Sequence, residues 1–390
     1  MSRPVREGGE RSISSPGLPP SGGRPMPGTL IDPGASGPGI GSTSRDLFLG
    51  GALAPRSGWP FVLLHFFTPR PEQVEKFWVV HTRDCPQVMG SDPWANLKVL
   101  HFDAQGQLVP RDPRELLAQA VGRPVLIQVQ GSLTTPDIAL GGLMWSSAWL
   151  EQNRALSPDS VVIAFDWPSQ RISKNDVRDV NEKGRRAYVA GCHLARFLSS
   201  FPLSSRITLL GQSFGGRVVL SALHFLGGGC LNSQDHDSPV RLPALRPDLH
   251  LRGILLGAAS DHDWLSPSQR FDRALHSCEG LLNLYNRRDE ALVLYPFLRR
   301  SGRRRALGRL GLSPSDFDRL GPLAARYEEH DIHDQLGRDH TLLDAVANPQ
   351  VARWMAPYLW ASDPDSAPRG PDSGPIPNQP RLSFRERPNP

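Results

Sequence analysis

The chain has 390 residues and a net charge of +5, from 44 basic and 39 acidic side chains. That balance argues against a strongly acidic main partner, and a dedicated nucleic-acid binder would need a clustered basic face. Hydrophobic residues make up 39 %, enough for one large core, and the four cysteines, Cys85, Cys192, Cys230 and Cys278, stand far apart with no Cys-x-x-Cys pair. That spacing excludes neither thiol chemistry nor packing, but it favours reduced, buried thiols over a disulfide framework or a thiolate metal site.

Residues 1–57 are rich in Gly, Pro and Ser and lack apolar periodicity. They cannot bury enough surface to offset the entropy of ordering, so a disordered tail is expected. No apolar run follows the first charged residues, so no signal peptide is expected. Phe61–Phe67 reads as a strand and is too short to span a bilayer. A cytoplasmic protein without a membrane span is the resulting expectation. Residues 362–390 read as a second disordered tail, leaving 58–361 as one globular domain.

Inside that domain, short apolar runs alternate with helical patterns. Strands are expected at Trp78–Thr82, Leu97–Phe102, Pro124–Gln130, Ser160–Phe165, Arg206–Leu210, Leu251–Leu256 and Gly280–Tyr285. Runs that are apolar on both faces suit a parallel sheet covered by helices on each side. Thr135-Pro136 has the form of a cap and first-turn proline, opening a helix to about Asn153. Further helices are expected over Asn181–Ser199, Phe214–Leu226 and Pro349–Leu359. Strands alternating with helices predict an α/β fold, a mostly parallel doubly wound sheet with helices on both faces.

One turn in this series carries chemistry. Gly211-Gln212-Ser213-Phe214-Gly215 directly follows the strand ending at Leu210 and directly precedes a helix pattern. A serine hydroxyl is a weak nucleophile and must be held beside a base. A sharp strand-to-helix turn does this, and it needs glycine at Gly211 and Gly215, where neighbouring elements approach closely. In such folds the acid and the histidine follow the serine along the chain. Asp289, just beyond the strand Leu281–Tyr285, is the preferred acid, with Asp261 and Asp263 as alternatives. His340, before the terminal helix, is the preferred base. His330 and His333 are the other candidates, in the charged stretch Glu328–Asp334, which reads as a solvated loop. His330, Asp331, His333 and Asp334 could also be considered as metal ligands, but no metal centre is expected. Oxyanion donors are expected from the N–H of Phe214 and from Ser132 or Leu133, in the loop after Pro124–Gln130.

Four passages together resemble the bacterial α/β-hydrolases of unknown function, a group within the α/β-hydrolase superfamily. They are PVLIQVQGS, AFDWPSQ at 164–170, LLGQSFGGRVVLSAL, and NLYNRRDEAL with the later GRDHTLL and NPQV. The likeness covers roughly 120–360. It implies the α/β-hydrolase fold and serine hydrolase chemistry with Ser213, Asp289 and His340 as a triad. One departure is plain: where that group has His-Gly after the strand, this chain has Gln130-Gly131.

Arg299, Arg300, Arg303, Arg304, Arg305 and Arg309 cluster between Asp289 and His340. They read either as a solvated face or as an anion-binding patch, with Arg299, Arg300, Arg303 and Arg304 as its candidates. No aromatic residues are interleaved to stack on bases, so nucleic acid is not expected as a partner. The sequence-level expectation is therefore a cofactor-free serine hydrolase acting on a small ester or thioester through an acyl-enzyme. A non-catalytic binding or scaffold protein of the same fold, and an amidase or peptidase with the same triad, are the rival readings.

Overall fold

A nine-stranded sheet, seven strands paired parallel and two more joined to one edge by antiparallel pairing, organises the described residues. The computed structural model describes residues 74–86, 96–103, 105–202, 204–231, 240–241, 249–298 and 304–360. Both expected tails, the expected strand Phe61–Phe67, and Arg299, Arg300 and Arg303 lie outside the described residues.

The strands are β1 Phe77–His81, β2 Lys98–Phe102, β3 Leu108–Arg111, β4 Pro124–Val129, β5 Val161–Asp166, β6 Arg206–Gln212, β7 His250–Leu256, β8 Gly280–Tyr285 and β9 Tyr327–Asp331. Their order across the sheet is β9-β8-β7-β6-β4-β5-β1-β2-β3. Within this sheet only β1–β2 and β2–β3 pair antiparallel, and the first helix, α1 (Pro113–Gln119), lies between β3 and β4. The seven apolar runs read from the sequence match strands of this sheet to within two residues at either end. β3 and β9 had no such signal.

β9 corrects one reading. The stretch taken as a solvated loop begins with a strand, Tyr327–Asp331, paired to β8 alone. An edge strand has one neighbour and partly exposed side chains, so it tolerates the run Glu328, Glu329, His330 and hides its period from a hydrophobicity reading.

The period of two sorts the strand residues into two layers. Val125, Ile127, Val129, Ile163, Phe165, Ile207 and Leu209 enter one apolar cluster, with α3 (Asp176–Leu198) and α4 (Phe214–Leu226). Leu126, Val162, Ala164, Leu210, Ile254 and Leu282 enter the other, with α2 (Pro136–Gln152) and the C-terminal helices. This mostly parallel sheet with helices on both faces is the α/β-hydrolase fold, as expected. α2 starts where the sequence placed it: Thr135 is the N-cap, its hydroxyl accepts from the Ile138 N–H, and Pro136 is at the first turn. α3 starts earlier than expected because Asn175 caps it, accepting from the Arg178 N–H at 3.0 Å. All thirteen residues of α4 are buried, so the helix that follows Ser213 is the central one of its layer. Among the described residues, no helix is long and apolar enough to cross a membrane.

Candidate active site

Ser213 sits between β6 and α4 with φ +54° and ψ −119°. A non-glycine residue held at positive φ is strained and persists only where its surroundings over-determine it. Here they do. The Ser213 N–H donates to the Leu256 carbonyl at 2.9 Å, and the Ser213 carbonyl accepts from the Gly216 N–H at 3.1 Å and the Ala259 N–H at 3.0 Å. The flanking glycines answer a steric demand. A Cβ on Gly211 would come within 2.6 Å of the Gly215 carbonyl oxygen, and one on Gly215 would overlap the carbonyl oxygen of Val129. Ser213 is 9 % exposed.

Asp289 and His340 come together across 51 residues of chain. His340 Nδ1 pairs with Asp289 Oδ2 in a short contact. The other carboxylate oxygen, Oδ1, caps the short helix α5 (Glu290–Val293) by accepting from the Leu292 N–H at 2.9 Å. Capping therefore fixes the carboxylate rotamer and leaves one oxygen for the imidazole. Asp289 is 1 % exposed and the His340 side chain 14 %. Burial alone would drive the imidazole pKa down. The charge and hydrogen bond of Asp289 outweigh it, so His340 is held above the ordinary value of 6.5.

The acid and histidine loops are tied to each other and to the elbow. Asn286 Nδ2 donates to the Asp339 carbonyl at 3.0 Å, and the Glu290 N–H to the Arg338 carbonyl at 3.3 Å. Gln212, next to Ser213, donates from Nε2 to the His340 carbonyl at 2.7 Å. The imidazole lies over Gly257, where a Cβ would meet His340 Cε1 at 2.8 Å. Gly257 directly follows Leu256, whose carbonyl holds the Ser213 N–H. Ser213, His340 and Asp289 thus share one end of the sheet, beyond the C-terminal ends of β6, β7 and β8. Ligand sites gather at that end in open α/β sheets.

The alternative acids are engaged elsewhere. Asp261 is buried and accepts from the Tyr295 hydroxyl at 2.8 Å. Asp263 pairs with Arg304 Nη1 at 2.5 Å, and Arg304, the one anion-binding candidate among the described residues, is otherwise exposed. His330 pairs with Glu328 at 2.7 Å and stacks on Trp354 with ring centroids 4.4 Å apart. His333 contacts Arg287, Asp331 and Asp334. Among the described residues, no three His, Cys, Asp or Glu side chains are grouped to hold a metal ion.

The loop after β4 holds the expected oxyanion donors, and it narrows the choice between them. The Leu133 N–H donates to the Ser169 carbonyl at 2.8 Å. It is committed, which removes Leu133 from the expectation and leaves Ser132 beside Phe214.

Sequence reasoning missed Arg217, one helical turn after Ser213. The residue is 2 % exposed. Nε donates to the Ala259 carbonyl at 3.0 Å, Nη2 to the same oxygen and to the Tyr295 hydroxyl at 3.0 Å. It also lies 4.6 Å from the centroid of the Phe214 ring. Ala259 is the residue whose N–H holds the Ser213 carbonyl, so Arg217 clamps the elbow from below. Its position four residues after the serine was visible in the sequence, but the partners were not. Gln212 and Asn286 were likewise legible only as turn residues.

No family model matches the chain, and no curated protein matches it. Among solved structures it is similar to esterase B from Lactobacillus rhamnosis. A C6-C4 SN3-inhibited form is 12 % identical with a TM-score of 0.40, over 76 % of this chain and 89 % of that one. A C4-C4 SN3 tributyrin phosphonate-inhibited form is 13 % identical with a TM-score of 0.39, over 76 % and 88 %. A third structure of the same esterase is 12 % identical with a TM-score of 0.37, over 75 % and 86 %.

Proposed function

We propose that this protein is a serine hydrolase that cleaves ester bonds through an acyl-enzyme. The observation that carries the reading is Ser213 at positive φ on a strand-to-helix elbow, with the buried His340–Asp289 pair tied to the same turn.

In this mechanism Ser213 Oγ attacks the acyl carbon while His340 Nε2 takes its proton. Asp289 fixes the ring through Nδ1 and stabilises the imidazolium. The N–H groups of Phe214 and Ser132 meet the negative charge that develops on the carbonyl oxygen. Collapse breaks the bond to the leaving oxygen, which receives the proton from His340. Water then gives a proton to His340 and attacks the acyl carbon, releasing the acid and restoring the serine. The reaction needs no organic cofactor or metal.

A panel of p-nitrophenyl acyl esters of varied chain length, run beside the corresponding anilides, tests this. The reading expects ester turnover that disappears in Ser213→Ala. Faster cleavage of the anilides would move the assignment to an amidase. No turnover of either by folded protein would favour a binding role for the same site.

A further inference from the structure

We infer that the segment Asp166-Trp167-Pro168-Ser169, together with Arg83, is a positioning device that sets the oxyanion loop 130–134. The inference rests on the serine-hydrolase reading above. It gives a role to the Phe-x-Trp-Pro-Ser passage, which the triad does not use.

The loop does not hold its own shape. Leu133 has φ +65°, a conformation that a branched L-residue keeps only under outside constraint. The constraint comes from the end of β5. Trp167 Nε1 donates to the Gln130 carbonyl at 2.9 Å. The Ser169 carbonyl accepts from the Leu133 N–H at 2.8 Å. Ser169 Oγ donates to the Thr134 carbonyl at 3.1 Å, and Arg83 Nη2 donates to the same oxygen at 2.7 Å. Thr134 closes the loop on itself, its hydroxyl donating to the Gly131 carbonyl at 3.2 Å. These bonds take up the polar main-chain groups on both sides of Ser132 and do not include the Ser132 N–H.

Arg83 is itself fixed. Its Nε lies 2.9 and 2.8 Å from the two Asp166 oxygens and Nη2 lies 2.6 Å from Oδ1. His81 Nδ1 adds a contact to Oδ2 at 2.7 Å. Trp167 and Ser169 are each 1 % exposed, so these bonds form out of water, where an unmade partner is costly. Two further features fit. The Gln130 side chain replaces the histidine of the resembling group, yet the contact to Trp167 uses its main-chain carbonyl and survives that replacement. A Cβ on Gly131 would come within 3.0 Å of Ser213 Cβ, so the braced loop lies directly against the nucleophile.

Trp167→Phe keeps an aromatic ring but removes the indole N–H along with the five-membered ring. Ser169→Ala removes only the hydroxyl. Each is expected to lower kcat about tenfold with KM within about twofold, because the loop acts on the developing charge rather than on the bound ester. Amide hydrogen exchange at residues 131–134 should quicken at least tenfold while β4 and β6 keep their protection. Arg83→Lys should recover part of what Arg83→Ala loses. Folded variants with unchanged kcat and unchanged exchange at 131–134 would overturn the inference, as would exchange quickening across the whole sheet together with kcat and KM. If the wild type turns over no ester, the hydrolase reading has failed. Exchange then decides the bracing alone: local quickening supports it, and none overturns it.

Discussion

The strand-to-helix turn at Ser213 and the loop after β4 lie side by side, yet they are held in different ways. The turn at Ser213 is set by main-chain contacts: two glycines that admit no Cβ, and a serine at positive φ whose N–H and carbonyl bond the main chain of Leu256, Gly216 and Ala259. The loop after β4 is set by side chains that arrive from just beyond β1 and β5, tens of residues away. A turn specified by its own glycines can be recognised locally. A loop specified by distant partners cannot, although its strain is of the same kind.

The largest expected effect falls on the chemistry that the elbow serves. Asp289→Asn should reduce kcat by about 10⁴, since the imidazole then loses its tautomer and its counter-charge. The same change should move the acid limb of the pH–rate profile. With Asp289 present, His340 is held above 6.5, so the neutral base forms only at higher pH and that limb should lie above 6.5. Removing the carboxylate charge should bring it down, as kcat/KM against pH would record. The sign for stability runs the other way. The stabilisation from the protonated pair is present below pH 6.5 and is lost as the pH rises through the raised value.

Next comes a change that tests the elbow as main-chain geometry. Gly215→Ala puts a methyl group onto the Val129 carbonyl oxygen. The backbone must shift or the protein must lose about 4 kcal/mol or more, measured by denaturant unfolding. Tolerance of alanine there would erase the distinction between the two regions. Arg217→Met removes the clamp beneath the elbow and should cost about 1–3 kcal/mol, because the Ala259 carbonyl loses charged donors inside the core. A fall in kcat larger than the change in KM should accompany it.

The smallest effect is the one that sharpens the comparison most. Gln130→His restores the residue found in the resembling group. Because the loop is held at residue 130 through its carbonyl, kcat should change by less than about threefold, on the order of 0.6 kcal/mol. A tenfold gain would mean that the side chain at 130, and not the bracing from β5, sets the loop.

The same contrast explains what the sequence made legible. Apolar runs on both faces revealed the central strands, and the cap at Thr135 placed α2. The order Ser213, Asp289, His340 brought together three residues that the fold does hold at one end of the sheet. What was hidden depends on long-range partners. β9 carries charges because it is an edge, so its strand character has no hydrophobic signature. Arg217 looked like an ordinary helical arginine until α4 was seen to be buried throughout. Leu133 looked like a free donor until Ser169, thirty-six residues later, was seen to accept its N–H. Asp263 and Arg304 read as a candidate acid and a candidate anion site, and the fold pairs them with each other.

The central claim is that Ser213 is the activated nucleophile. Its most direct test is reaction of the folded protein with a fluorophosphonate, followed by mass mapping of the modified peptide. One adduct is expected, on the peptide that holds Ser213, absent in Ser213→Ala and formed far more slowly in His340→Ala. Equal labelling of the wild type and Ser213→Ala, or no labelling of a wild type shown to be folded, would contradict it.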